Sequence, residues 1–205
     1  MKLPSIVVAT TGFIFLMFCL IPTGCEEPAY TPKPRSFPKV EYPERTYLTF
    51  DAPFCDFTFE APSYLEVQQD SLFFDEPPLH PCWFDLFYGT FGSRIHLTYS
   101  VPGREKSFEE MRADAFTLAN KHNVRASYID EFVVKTPNGV EGMVFDFEGP
   151  SATPFQFYLS DSLEQHFLRG SLYFDTQVAP DSLAPVYDFI KTDIMHMINT
   201  FRWKK

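Results

Sequence analysis

Near the C-terminus, Leu183, Val186, Ile190, Ile194, Met197 and Phe201 recur at steps of three and four. That spacing lines one face of an α-helix about five turns long, and an apolar face of that size has to be buried. Asp181 reads as its N-cap and Pro185 falls in its first turns. Lys204 and Lys205 close it at the end where the helix dipole favours cations. Whatever precedes this helix must offer it an apolar surface of matching length.

Most of what precedes it reads as β. From Tyr47 the chain turns to strand-like runs: Phe54, Phe57 and Phe59, ended by Glu60-Ala61-Pro62, then Tyr64-Leu65-Glu66-Val67. Asp75–Pro81 holds three prolines and reads as a loop. Cys82–Tyr88 is aromatic and alternates poorly, as in a strand buried on both faces or a partly covered edge. Ile95, Leu97 and Tyr99 alternate with Arg94, His96 and Thr98. Phe132–Lys135 and Val140–Phe147 flank Asn138-Gly139, the strongest short-range hairpin signal. Phe155–Leu159 and His166–Phe174 flank a second polar turn, and Gly170 inside the last strand marks a bulge or a close backbone approach. One helix interrupts these strands. Ser107 with Glu110 forms a capping-box pattern, and Phe108, Met111, Ala115, Leu118 and Ala119 follow at helical spacing. Asn123 suits a left-handed stop. Strands, helix, four strands, helix is an α+β order, with one antiparallel sheet and the two helices packed on it, on opposite faces. The layout resembles the Mog1/PsbP-like fold.

The N-terminus dictates the compartment. Lys2 precedes a mostly apolar run, Ile6–Ile21, which Pro22-Thr23-Gly24-Cys25 closes. A secretory signal is short, apolar and followed by small residues, whereas a spanning helix needs about 20 apolar residues. The reading is a signal peptide over 1–24, cleaved before Cys25, whose sulfur is then acylated; the alternative is an uncleaved single-span anchor. Residues 25–46 carry Pro28, Pro32, Pro34, Pro38 and Pro43 and read as an extended tether before a single domain over 47–205. Thr31-Pro32-Lys33-Pro34-Arg35 is a basic island there, either a solvated linker or a docking peptide.

A formal net charge of −10 argues against nucleic acid as a partner and against attraction to anionic lipid, so membrane attachment falls to acyl chains on Cys25. Cys55 and Cys82 remain for the exported domain, where they form a disulfide or stay as buried free thiols; without a C-x-x-C pair they are a poor zinc signature. The chain contains no Gly-x-Ser-x-Gly, no P-loop and no Gly-x-Gly-x-x-Gly, and no histidines paired at ligand spacing. No catalytic residue, metal ligand or cofactor emerges. Asp130-Glu131 and Asp146/Glu148 are carboxylate pairs of a kind that is common in acidic chains, and a hydrolase would need two of them across a cleft. Arg94, His96 and Arg169, with Trp83, form a candidate ligand or partner patch, a surface that a small envelope ligand such as a glycan would use. The aromatic residues, 18% of the chain, exceed what such a core needs, which points to an aromatic interface.

Several segments in order carry a family resemblance. They are Tyr30-Thr31-Pro32-Lys33-Pro34-Arg35, then Cys55 with Phe57-Thr58-Phe59-Glu60-Ala61-Pro62-Ser63-Tyr64, and Pro81-Cys82-Trp83. Further on come Ile95-His96-Leu97-Thr98-Tyr99, Lys121-His122, His166-Phe167-Leu168-Arg169-Gly170-Ser171-Leu172-Tyr173-Phe174 and Asp181-Ser182-Leu183-Ala184-Pro185. Together they resemble the gliding motility lipoprotein GldD family of Bacteroidetes. The resemblance implies a cell-envelope lipoprotein facing the periplasm, required for gliding and linked to the type IX secretion machinery. It also implies partners among the other gliding lipoproteins, and no catalytic residues or cofactors.

Overall fold

The computed structural model describes residues 39–69, 78 and 80–204. The residues read as a signal peptide, Cys25 and the basic island lie outside them, as does most of the proline-rich loop at 75–81. Ten strands and two helices follow in the order β1 (Tyr47–Phe50), β2 (Phe57–Pro62), β3 (Glu66–Gln68), β4 (Trp83–Tyr88), β5 (Ser93–Ser100), α1 (Phe108–Asn120), β6 (Tyr128–Lys135), β7 (Val140–Glu148), β8 (Phe155–Asp161), β9 (Phe167–Phe174), α2 (Pro180–Thr200) and β10 (Arg202–Trp203). Seven strands make one antiparallel sheet in the order β3-β4-β5-β9-β8-β7-β6, and β1-β2-β10 make a small ribbon beside it.

Alternation along the strands sorts the side chains into two faces. Phe155, Phe157 and Leu159 of β8 share a core cluster with Ile190, Ile194 and Met197 of α2, and with Phe57 and Phe59 of the ribbon. Tyr158 points the other way, into a second cluster with Ala115 and Ala119 of α1, Phe145 and Phe167. The helices therefore lie on opposite faces, as the stripe and the strand pattern require. Each fully buried Phe or Leu in these clusters contributes about 1.5–3 kcal/mol. Gly170 is a close approach and no bulge: it faces Phe157 across β8 and β9, and a Cβ there would meet that ring at 2.2 Å.

The local signals behave as physics asks. Ser107 Oγ accepts from Glu110 N–H, and the Glu110 carboxylate accepts from Ser107 N–H at 2.8 Å, completing the capping box. Asn138-Gly139 turns the β6–β7 hairpin, with Gly139 at φ 77°, and Asn138 Nδ2 donates to the carbonyls of Asn199 and Phe201.

Three boundaries differ from the sequence reading. Asn123 is no left-handed stop; α1 runs into a tight 3₁₀ turn over Lys121–Val124, and Asn123 donates to the Asn120 side chain. α2 starts two residues early, with Ala179 at the cap, Pro180 at its first position and Asp181 inside the first turn, because proline's fixed φ suits that place. It also ends at Thr200. Phe201 turns extended, so its ring enters an aromatic stack with Phe57 and Phe59 at 5.2 and 6.1 Å, and Arg202 and Trp203 pair with β2. Lys204 then caps no helix: it pairs with Asp51 and donates to Ala52 O.

Candidate functional site

The four patch residues read from the sequence share one face of the large sheet, the face that α1 partly covers. Strand register places them in rows. Trp83 lies opposite Thr98, and Thr98 opposite Arg169, with Tyr158 next. In the neighbouring row Asp85 lies opposite His96, His96 opposite Ser171, and Ser171 opposite Gln156. Directly opposed side chains in such a ladder stand about 5 Å apart at Cβ.

The four nevertheless do different things. Asp85 accepts from Arg94 at 3.3 Å and meets His96 Nδ1 at 2.6 Å, so Arg94 and His96 are joined through a carboxylate. Asp175 takes the other Arg94 nitrogen at 2.9 Å. The Trp83 indole N–H donates to Tyr99 O at 2.8 Å, which fixes the ring at the sheet surface. The Arg169 guanidinium has no hydrogen bond or ion pair among the described residues, while its backbone lies in the ladders to β5 and β8. Burial pushes its pKa down from the usual guanidinium range, and in turn its charge, after burial itself, lowers His122.

A second polar constellation is one that sequence reasoning missed. Asp193 is buried at 1% exposure in the α2 stripe and accepts from Arg45 Nε at 3.0 Å, Tyr47 OH at 3.2 Å and Tyr64 OH at 2.6 Å. Burial first, and then Asp193, raises both tyrosines above the ordinary phenol range. Arg45 also lies 4.0 Å over the Phe189 ring, and Tyr42 packs on that ring at 4.8 Å. Chain counted as tether by its prolines is therefore clamped to α2 from Tyr42 onward. One signal was available: Asp193 follows Ile190 by three and precedes Met197 by four, so an acid occupies a core position.

At the opposite end of the sheet, Tyr99 OH meets His166 Nδ1 at 2.6 Å and donates to Asp56 at 3.2 Å, while His166 stacks on Trp203 at 4.9 Å. His80 packs edge-on to Tyr99, and burial lowers its pKa. The Cys55–Cys82 disulfide closes beside this group, with both cysteines buried. His196 meets Glu60 at 2.7 Å.

Of the acid pairs, Asp146 and Glu148 line a cleft of about 400 Å³ between the first turns of α2 and the β7–β8 turn. Lys191 and the Tyr187 hydroxyl hold Asp146, which makes it the acceptor that pins α2 to β7. Asp130 faces Asp146 across the β6–β7 ladder, with its side chain on the exposed edge strand. Among the described residues no three His, Cys, Asp or Glu side chains gather into a metal-holding group, and no helix is long and apolar enough to cross a membrane.

A family model described as gliding motility lipoprotein GldD matches residues 27–203. Among curated proteins nothing matches the chain. Among solved structures, the solution structure of cyanobacterial PsbP (CyanoP) from Synechocystis sp. PCC 6803 is similar at 7% identity and a TM-score of 0.45, over 78% of this chain and 94% of that one.

Proposed function

The chain belongs to the gliding motility lipoprotein GldD family, and from that membership we propose that it is a lipid-anchored, non-catalytic component of the cell-envelope machinery for gliding, linked to assembly or stability of the type IX secretion apparatus. The observation that carries the reading is the match itself, which runs from residue 27, two residues after Cys25, to residue 203. Cys25 bears the lipid in this reading. Each buried CH₂ contributes about 0.8 kcal/mol, so more than one acyl chain on Cys25 and the new N-terminus gives stable attachment. The proline-rich stretch after it then spaces the domain from the bilayer, in the periplasm.

Two features support a scaffold over an enzyme. The buried acids serve architecture, Asp193 as a triple acceptor and Asp146 as the anchor of α2. The polar surface lies on a rigid sheet, which suits a stable docking face.

The test is affinity isolation of the tagged full-length protein from detergent-solubilised envelopes. Recovery of other gliding or type IX secretion components is the expected result. Recovery of the protein alone, under conditions that preserve a known envelope complex, would overturn the reading.

A further inference from the structure

Among the described arginines, Arg45, Arg94 and Arg112 each have a carboxylate partner. Arg104, Arg125 and Arg202 have none but stand exposed, where water solvates them. Arg169 is different: it is only half-exposed and still lacks an acceptor. A guanidinium stays charged under all ordinary conditions, so burial without a counter-charge is costly. Its acidic neighbour Asp114 is already occupied by Lys106. Two further polar side chains adjoin it. Ser171 follows on the same face of β9 and Gln156 lies opposite Ser171. Both are nearly buried, at 4% and 2%, and neither side chain hydrogen-bonds within the described residues. Tyr173, 37% exposed, continues the same face.

We propose that Arg169, Ser171 and Gln156 form the floor of a binding site for a carboxylate-bearing saccharide, with the Tyr173 ring flanking it. The planar fork of Arg169 matches a carboxylate in two-point geometry. The hydroxyl and amide offer both donors and acceptors, which is what sugar hydroxyls require. An aromatic ring beside them suits the apolar face of a pyranose. A bare polyanion is disfavoured by the acidic protein as a whole, whereas one carboxylate on a neutral body meets little of that repulsion. The inference is independent of the gliding role and fails separately from it.

Calorimetry on the full-length mature chain in detergent tests it with a galacturonic-acid trisaccharide, the galactose trisaccharide of the same linkage, and inorganic sulfate. The acidic trisaccharide is expected to bind, and the neutral one to bind about tenfold or more weaker, the loss of one charge-assisted contact. Arg169→Gln should weaken the acidic ligand by a similar factor and leave the neutral one unchanged; Gln156→Leu should weaken both. Equal affinity for the two trisaccharides, sulfate binding as tight as the acidic sugar, or no binding at all would overturn the proposal. Because the ligand comparison is made on the unaltered protein, a misfolded variant does not obscure the outcome.

Discussion

Removing the carboxylate of Asp193 would strand two tyrosine hydroxyls and a guanidinium around one buried point. A buried group left unsatisfied costs about 1–3 kcal/mol, and Arg45, about a third exposed, can turn to water for part of its share. Asp193→Ala is therefore expected to lower stability by about 3 kcal/mol in urea denaturation; a change below about 1 kcal/mol would mean the donors find other acceptors. Tyr64 and Tyr47 also set a pH dependence. Their folded-state pKa values lie above the ordinary 10.0, raised by burial and then by Asp193. The unfolded chain thus gives up these protons first. Stability is complete below about pH 10 and falls as pH rises beyond it. Melting curves between pH 8 and 11 should show that decline, and Tyr64→Phe should flatten it. None of this is visible in the residues taken singly. Asp193 is an ordinary acid until its phase on the stripe is counted, and its three donors lie at least 129 positions away in the chain.

Elements were legible where a local pattern and the tertiary fold ask for the same thing. The α2 stripe, the α1 capping box and the Asn138-Gly139 hairpin are short-range signals, and each stands in the structure at its place. The end of α2 was not legible, because Phe201 satisfies the helical spacing and the aromatic stack equally well. The stack wins: the ring goes to 0% exposure only if the backbone turns extended. The β1-β2-β10 ribbon was hidden for the same reason, since a two-residue strand after a helix leaves no periodic trace. Gly170 shows how tightly the sheet is built. Phe157 is itself 1% exposed, so its ring has nowhere to retreat from an added methyl. Gly170→Ala should cost about 1–3 kcal/mol by overpacking. Restoration of stability in the double variant Gly170→Ala with Phe157→Leu would confirm the clash, and a neutral single variant would refute it.

Two chemistries are separable in this reading: the proposed lipid on Cys25, which would hold the molecule at the membrane, and the disulfide, which holds the domain together. The four site residues named from the sequence share one face, because alternation within β4, β5 and β9 is a local property. Their division into partnered and unpartnered charges was not readable, since it depends on which strands become neighbours. The cysteines were ambiguous between a bridge and two thiols for the same reason. In the fold Cys55 and Cys82 are bonded across a sequence separation of 27. Closing a loop of that length stabilises by roughly 3–4 kcal/mol in the chain-entropy model, equivalent to roughly 7–14 °C in melting temperature for a domain of this size. Reductant, or Cys55→Ser, should lower the melting temperature by that amount and leave the protein in the membrane fraction. Cys25→Ala should do the reverse, releasing the protein into the soluble fraction with its melting unchanged. Release by reductant would place the attachment in the folded domain, and retention of the Cys25→Ala protein in washed membranes would place it there or in an uncleaved apolar run at Ile6–Ile21; either result would mean abandoning the acyl anchor.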